Sequence, residues 1–215
     1  HRDLHLSIRR QRQMCIRDRY QLLSAELSTF KNVNTVHITG GEPFLYSSLI
    51  ELVNSLKETK KEIIISTGLG VGYARFRTIL SALEDTKNLK IVVSGENINQ
   101  LYEFNRYGNK FSDFCAKLKV LAEYNIPVEF SSVLSNITLP GLLEFAQYFP
   151  DYFINYTICN DPEFLQINIL DPHTKDTVLR SLDQIRMPQD FRRLLEHTIQ
   201  PVSYTHLTLP TNREV

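Results

Sequence analysis

The sequence predicts an α/β protein built on a parallel sheet, open or curled into a partial barrel. Two observations carry that prediction. Five short apolar runs rich in Val, Ile and Phe recur through the chain and end in small or polar residues, as buried parallel strands do. Between them, apolar residues recur at three- and four-residue spacing, the pattern of helices that bury one face. Strands alternating with helices imply right-handed crossovers and therefore parallel neighbours.

The elements follow in order. "YQLLSAELSTF" at 20–30 is helix-like and precedes the first strand, "TVHITG" at 35–40. Leu49, Val53 and Leu56 then share a helical face, and Ser48 with Glu51 has the form of a capping box. Further strands are predicted at "EIIISTG" (62–68), "LKIVVSG" (89–95), "VEFSSVLS" (128–135) and "FINYTIC" (153–159). Phe111, Phe114, Cys115, Leu118, Leu121 and Ala122 line one face of a helix before the fourth strand. A last helix opens at Asp171-Pro172, an N-cap followed by proline at the first helical position, and runs through Val178, Leu179, Leu182 and Ile185. There is no internal repeat, low-complexity segment or linker.

At 215 residues the chain suits one domain with a core, or one domain with a small extension. Its 42% apolar and 22% charged content is that of a soluble globular protein. No apolar run reaches the roughly 18 residues a bilayer span needs, and no signal-peptide core is visible. The expectation is a cytoplasmic protein without a membrane partner. The net charge of zero conceals a split: residues 1–19 carry six Arg against two Asp, whereas residues 20–200 sum to −4. The body therefore offers no electrostatic case for nucleic acid. Cys15, Cys115 and Cys159 are too far apart for a local metal knuckle and too few for a secreted disulfide framework. Reduced thiols are expected.

"HRDLHLSIRRQRQMCIRDR" and "PVSYTHLTLPTNREV" lack periodicity and resemble translated sequencing adapter. Residues 1–19 and 201–215 are thus expected to be a non-native leader and tail. A basic nucleic-acid arm, a transit peptide or an ordinary disordered tail are the alternatives. Between those ends, 20–160 would be the core and 161–200 a C-terminal extension with a helix.

Ligands of parallel α/β folds bind at the C-terminal edge of the strands. Polar strand ends collect there: Gly40-Gly41-Glu42, Ser66-Thr67-Gly68, Ser94-Gly95-Glu96, Ser131-Ser132 and Asn160-Asp161. Glycines at a strand end let backbone approach a ligand, and Pro43 biases Glu42 toward an extended conformation that points the acid off the rim. Carbonyls and a carboxylate form an acceptor-only cluster, suited to an ammonium rather than a phosphate. On Gly40, Gly41, Glu42 and Pro43 alone, a tight turn with a solvated carboxylate explains the pattern equally well. His37 lies inside a strand and reads as a satisfied structural histidine rather than a ligand.

"VHITGGEPFLY" resembles the Gly-Gly-Glu-Pro turn of radical S-adenosylmethionine enzymes. "IIISTGLG" is similar to the family's next strand, with Leu69 departing from the usual pattern. "IVVSGENINQLYEFNRYGNKFSDFCAKLKVL" is similar to the following strand and helix. "FSSVLSNIT" and "INYTICNDPEFLQINILDPHTKDTVLRSL" resemble the last strands and exit of a twitch-containing subgroup. The resemblance covers roughly 20–195 and implies a partial (β/α)6 TIM-like barrel with an incomplete first strand–helix unit. It implies that Gly40, Gly41, Glu42 and Pro43 hold the amino group of S-adenosylmethionine, that Ser94 and Glu96 face ribose or substrate, and that Arg106 reaches the methionine carboxylate. Thr67 and Ser132 would stand on the same rim. Arg106 as an ordinary surface helix residue is the alternative. The implied reaction is reductive cleavage of S-adenosylmethionine at a 4Fe-4S cluster to a 5′-deoxyadenosyl radical, which takes hydrogen from an unknown substrate, with an electron donor such as flavodoxin or ferredoxin.

One departure matters. The family's Cys-x-x-x-Cys-x-x-Cys triplet, which binds the cluster as thiolates, is absent from this sequence. Cys115 lies on an apolar helix face, and Cys159 either lines the site or is a buried free thiol. None is assigned as a metal ligand, and the chain as written is expected to be inactive. Two rivals remain: a non-catalytic cofactor- or peptide-binding barrel, and an unrelated (β/α) enzyme using Glu42 as general base with Glu96 as partner.

Overall fold

The computed structural model describes residues 19–83 and 86–200. Helix α1 (Arg19–Thr29) leads into β1 (Thr35–Ile38), a 3₁₀ turn at Pro43–Leu45 and α2 (Leu49–Lys57). Then come β2 (Glu62–Thr67), α3 (Tyr73–Ser81), β3 (Leu89–Ser94), α4 (Asn99–Asn105), α5 (Phe111–Glu123) and β4 (Val128–Leu134). The chain continues through α6 (Leu142–Tyr148), β5 (Phe153–Ile158), α7 (Pro172–Ser181) and α8 (Gln189–Ile199). Residues 1–18 and 201–215, which hold Cys15 and nearly all of the expected leader and tail, lie outside the described residues.

All five strands predicted from the sequence are present, each ending one or two residues earlier than its apolar run. They form one parallel sheet in the order β1-β2-β3-β4-β5. A sheet whose spatial order follows chain order, with crossovers of one hand, carries its helices on a single face. That is the winding of a partial barrel rather than of a doubly wound sheet.

Strand burial shows the two faces directly. Ile63, Ile65, Leu89, Ile91, Val93, Phe130 and Ile154 are buried in one core with Leu52, Val53, Leu56, Phe76, Phe114 and Leu121 of the helices. Their alternating neighbours, including Ser66, Val92, Ser94 and Ser131, are half-buried on the opposite, open face. A second core joins α7 and α8 to the end of β4 through Leu134, Leu139, Ile167, Val178, Leu195 and Ile199.

Two local expectations are corrected. Ser48 sits at the N-cap of α2, but at φ −109°, ψ 29° its side chain makes no capping bond. A capping hydroxyl needs the extended backbone that brings it over the first turn, and Ser48 lacks it. The helix opened by Asp171 is capped as expected, with the carboxylate accepting from Thr174 N–H. Its α-helical part ends at Ser181 and tightens into a 3₁₀ turn at Leu182–Gln184, with Val178, Leu182 and Ile185 buried together as expected, and a further helix α8 follows Pro188. Proline disfavours a helical conformation at Met187, so one continuous helix cannot run through this point.

Candidate functional site

The turn after β1 is open on one side. Gly40 has φ +151°, a region that L side chains rarely adopt, and a Cβ at either Gly40 or Gly41 would meet nothing within 4 Å. Among the described residues no donor reaches the carbonyls of these two glycines. Pro43 then starts a 3₁₀ turn whose carbonyls at Glu42 and Pro43 accept from Leu45 and Tyr46 N–H. Pro43 and Phe44 are buried, and Phe44 packs on Phe76 of α3, which pins the turn to the fold.

Glu42 is extended, at φ −146° and ψ 104°, as the following proline requires. Its carboxylate nevertheless does not project freely from the rim. Oε1 accepts from Phe44 N–H at 3.1 Å and from Thr67 Oγ1 at 2.7 Å, and Oε2 accepts from Gly70 N–H at 3.0 Å. The carboxylate thus bridges the end of β1 to the turn after β2. Since a carboxylate offers about four lone-pair positions, three donors leave about one for a ligand cation.

Arg106, the residue that caps α4, forks onto Glu96. Its Nη2 donates to Oε1 at 2.6 Å and to Oε2 at 2.8 Å, and its Nε donates to Oε2 at 3.1 Å. Glu96 is buried, so the pair is a partly desolvated one. The remaining nitrogen, Nη1, faces Gly68, where an added Cβ would lie 3.3 Å from it and 3.9 Å from Glu42 Oε2. The three elements therefore converge: Glu42 from β1, Gly68 from β2, and Arg106 from the β3 crossover.

The other predicted site residues divide by strand phase. Ser94 lies on the open face, in register with Ser131. Thr67 and Ser132 are one residue out of that phase and are buried on the helix side. Thr67 Oγ1 donates to Glu42 and accepts from Leu69 N–H at 2.8 Å, while Ser132 Oγ donates to the carbonyl of Gly95. These hydroxyls brace the rim rather than line it. His37 Nε2 lies 2.6 Å from Ser66 Oγ on the exposed side of β1. It is hydrogen-bonded, as expected, but not buried.

Several contributors were not foreseen. Lys117 of α5 is buried and donates to the carbonyl of Leu69 at 2.9 Å. Burial lowers its pKa, against the attraction of Asp113 and Glu42. Asn97 is buried behind the rim, donating to the carbonyl of Thr138 and accepting from Asn105. Tyr102 is buried beside the ion pair, and desolvation raises its pKa. Their sequence signal was weak, since a lysine on an otherwise apolar helix face reads first as a solvated position.

The cysteines do not assemble. Cys115 is half-buried on α5, and burial raises its pKa. Cys159 is half-buried after β5, with Sγ 3.4 Å from the carbonyl of Asp161. Among the described residues no three His, Cys, Asp or Glu side chains converge on a metal position. An iron–sulfur cluster therefore does not fit the residues described.

Residues 19–144, more than half of the chain, match the family described as the Radical SAM superfamily. The chain belongs to the radical SAM superfamily. The matched span carries the Gly-Gly-Glu-Pro turn, Glu96 and Arg106, and it ends before residues 154–182, the exit segment that resembles a twitch-containing subgroup. No curated protein matches the chain. Among solved structures, native anSMEcpe with bound AdoMet superposes with a TM-score of 0.58 at 12% identity, over 83% of this chain and 52% of that one. Streptococcus suis SuiB gives a TM-score of 0.55 at 16% identity, over 83% of this chain and 39% of its own. SuiB bound to its precursor peptide SuiA gives 0.53 at 16% identity, over 77% and 39%. This radical SAM chain spans about half or less of the length of these proteins, and at such identities the likeness is one of fold. No described helix is long and apolar enough to cross a membrane.

Proposed function

We propose that this chain is the S-adenosylmethionine-binding part of a radical SAM enzyme acting on an unknown substrate. The observation that carries the reading is the convergence of Glu42 and Arg106 on Gly68 beside the open Gly40-Gly41 backbone. The carbonyls of Gly40 and Gly41, which meet no donor among the described residues, suit an ammonium together with the last acceptor position of Glu42, and Arg106 Nη1 suits a carboxylate a few ångströms away. An α-amino acid end carries both groups on one carbon. Pro43 keeps Glu42 extended, and Thr67 holds its carboxylate in place. Ser94 offers a hydroxyl on the open face for ribose or substrate. Glu96 takes the role of orienting Arg106, and Ser132 that of bracing Gly95.

When bound, S-adenosylmethionine would supply hydrogen abstraction after one-electron reduction by an external donor, and the protein's part would be to orient the cofactor and exclude water. A flavodoxin or ferredoxin as electron donor and a cytoplasmic setting belong to the same reading. anSMEcpe and SuiB have both been seen with a bound peptide, which supports a peptide as one substrate class to try.

Calorimetric titration of the chain with S-adenosylmethionine tests the site. Saturable one-site binding is expected, weakened at least tenfold by Glu42→Gln because a charged acceptor is lost. No binding by the unaltered chain, or equal binding by the variant, rejects the assignment.

A further inference from the structure

Lys117 lies outside the motifs that define the site, yet it is one of the few charged side chains buried in the described fold. It comes from α5, forty-eight residues away in sequence from the carbonyl it binds, that of Leu69. That carbonyl and the N–H of Gly70 belong to the same peptide unit. The N–H donates to Glu42 Oε2 at 3.0 Å. Carbonyl and N–H point in opposite directions across a trans peptide plane. An ammonium therefore holds the oxygen end of the Leu69–Gly70 peptide while a carboxylate holds its hydrogen end, each charge opposite in sign to the dipole end it meets.

The plane needs holding. Leu69 has φ +56°, a left-handed conformation uncommon for a leucine, and it is fully buried. Its N–H is tied to Thr67 Oγ1, and its carbonyl also accepts from Val71 N–H at 2.8 Å. Rotation of the peptide would break the Lys117 and Glu42 bonds together. Without the Gly70 donor, one oxygen of Glu42 would be released from its present direction.

We propose that Lys117 is a positioning residue for the S-adenosylmethionine site: with Glu42 it clamps the Leu69–Gly70 peptide, and so fixes the direction in which Glu42 presents its remaining acceptor to the cofactor's amino group. The proposal rests on the assignment of that site made above. Lys117 touches no ligand; it acts through Leu69, Gly70 and Glu42. Its alternative role is purely structural, as a buried lysine that pins α5 to the β2 turn.

The test uses the full chain and Lys117→Met, which keeps the apolar stem and removes the ammonium. Labelling with ¹⁵N-glycine gives only eight backbone amides, because the chain has eight glycines, and Gly70→Ala identifies the relevant one. In Lys117→Met the Gly70 amide resonance is expected to shift and to exchange faster, with the circular dichroism unchanged. Affinity for S-adenosylmethionine and S-adenosylhomocysteine should fall about tenfold, the size of one lost charged hydrogen bond. Affinity for 5′-methylthioadenosine, which lacks the amino and carboxylate groups, should stay the same.

An unmoved Gly70 amide overturns the clamp. Equal weakening of all three ligands, together with a lower melting temperature, overturns the positioning role in favour of the structural one. If the unaltered chain binds neither S-adenosylmethionine nor S-adenosylhomocysteine, the site assignment fails and the positioning role falls with it, while the Gly70 amide still reports whether the clamp exists.

Discussion

Arg106 grips Glu96 through two of its three guanidinium nitrogens and turns the third toward Gly68. The side chain is thus oriented before any ligand arrives. Less rotamer freedom is then lost on binding than a free surface arginine would lose.

Arg106→Ala should lower stability by about 3 to 5 kcal/mol, because it leaves the Glu96 carboxylate buried without its partner. Urea denaturation measures this. The Glu96→Ala, Arg106→Ala double variant should recover most of the loss, since the penalty comes from the orphaned charge. A single variant as stable as the unaltered chain would show that Glu96 has found another donor or water.

Gly95→Ala should destabilise by about 1 to 3 kcal/mol through overpacking. An added Cβ would lie 3.1 Å from Phe145 Cζ and 3.4 Å from Phe114 Cζ, both in the tightly packed helix-side core. Thermal unfolding by circular dichroism is the readout. Gly41→Ala, with open space around the same atom, should leave the melting temperature nearly unchanged and thereby isolate any effect on ligand binding.

Tyr156 carries a buried hydroxyl with no partner among the described residues, and burial pushes its pKa up to about 12. Tyr156→Phe should therefore stabilise the fold by about 1 kcal/mol, while its ring stays stacked on Phe191. The folded tyrosine keeps its proton above the ordinary pKa of about 10, where the unfolded one ionises. Its contribution to stability is thus fully present below about pH 10 and is lost as pH rises through the folded value. Urea midpoints between pH 9 and 11 should fall less steeply in the phenylalanine variant.

Lys117 gives the opposite sign. Burial lowers its pKa, so on raising the pH the folded chain gives up this proton before the unfolded chain does. The unfolded state then binds more protons, and this group's contribution to stability rises with pH from the folded pKa up to about 10.4. At neutral pH the buried ammonium costs stability, so Lys117→Met should be at least as stable as the unaltered chain at pH 7. The advantage should shrink as the pH is raised toward about 10.4. A variant markedly less stable at pH 7 would mean that the bond to Leu69 outweighs the desolvation of the charge.

The alternation of strand and helix, the five strands and the Gly-Gly-Glu-Pro turn were legible because each is a local pattern. A short Val-, Ile- and Phe-rich run marks a buried strand, three- to four-residue spacing marks a helix, and glycine followed by an acid and proline marks a constrained turn. Asp171-Pro172 was read correctly for the same reason, since its capping partner Thr174 lies within one turn. The Ser48 capping box misled, because a capping motif specifies residue types but not the backbone angles of the preceding loop.

Phase was the main point beyond local reading. Ser131 and Ser132 are adjacent, and one step along a strand reverses the face. Only the register with β3 shows that Ser131 stands beside Ser94, while Ser132 turns inward to Gly95.

The amino-acid sequence was thus enough for the family, the parallel α/β fold and the turn at Gly40–Pro43, because those features are written within a few residues of each other. Packing chose the partners. Glu42 meets Thr67 and Gly70, Arg106 meets Glu96, and Lys117 meets Leu69 across gaps of up to forty-eight residues. A charged side chain bonds to whatever the fold brings within about 3 Å of it, and that distance belongs to the packed chain rather than to any stretch of it.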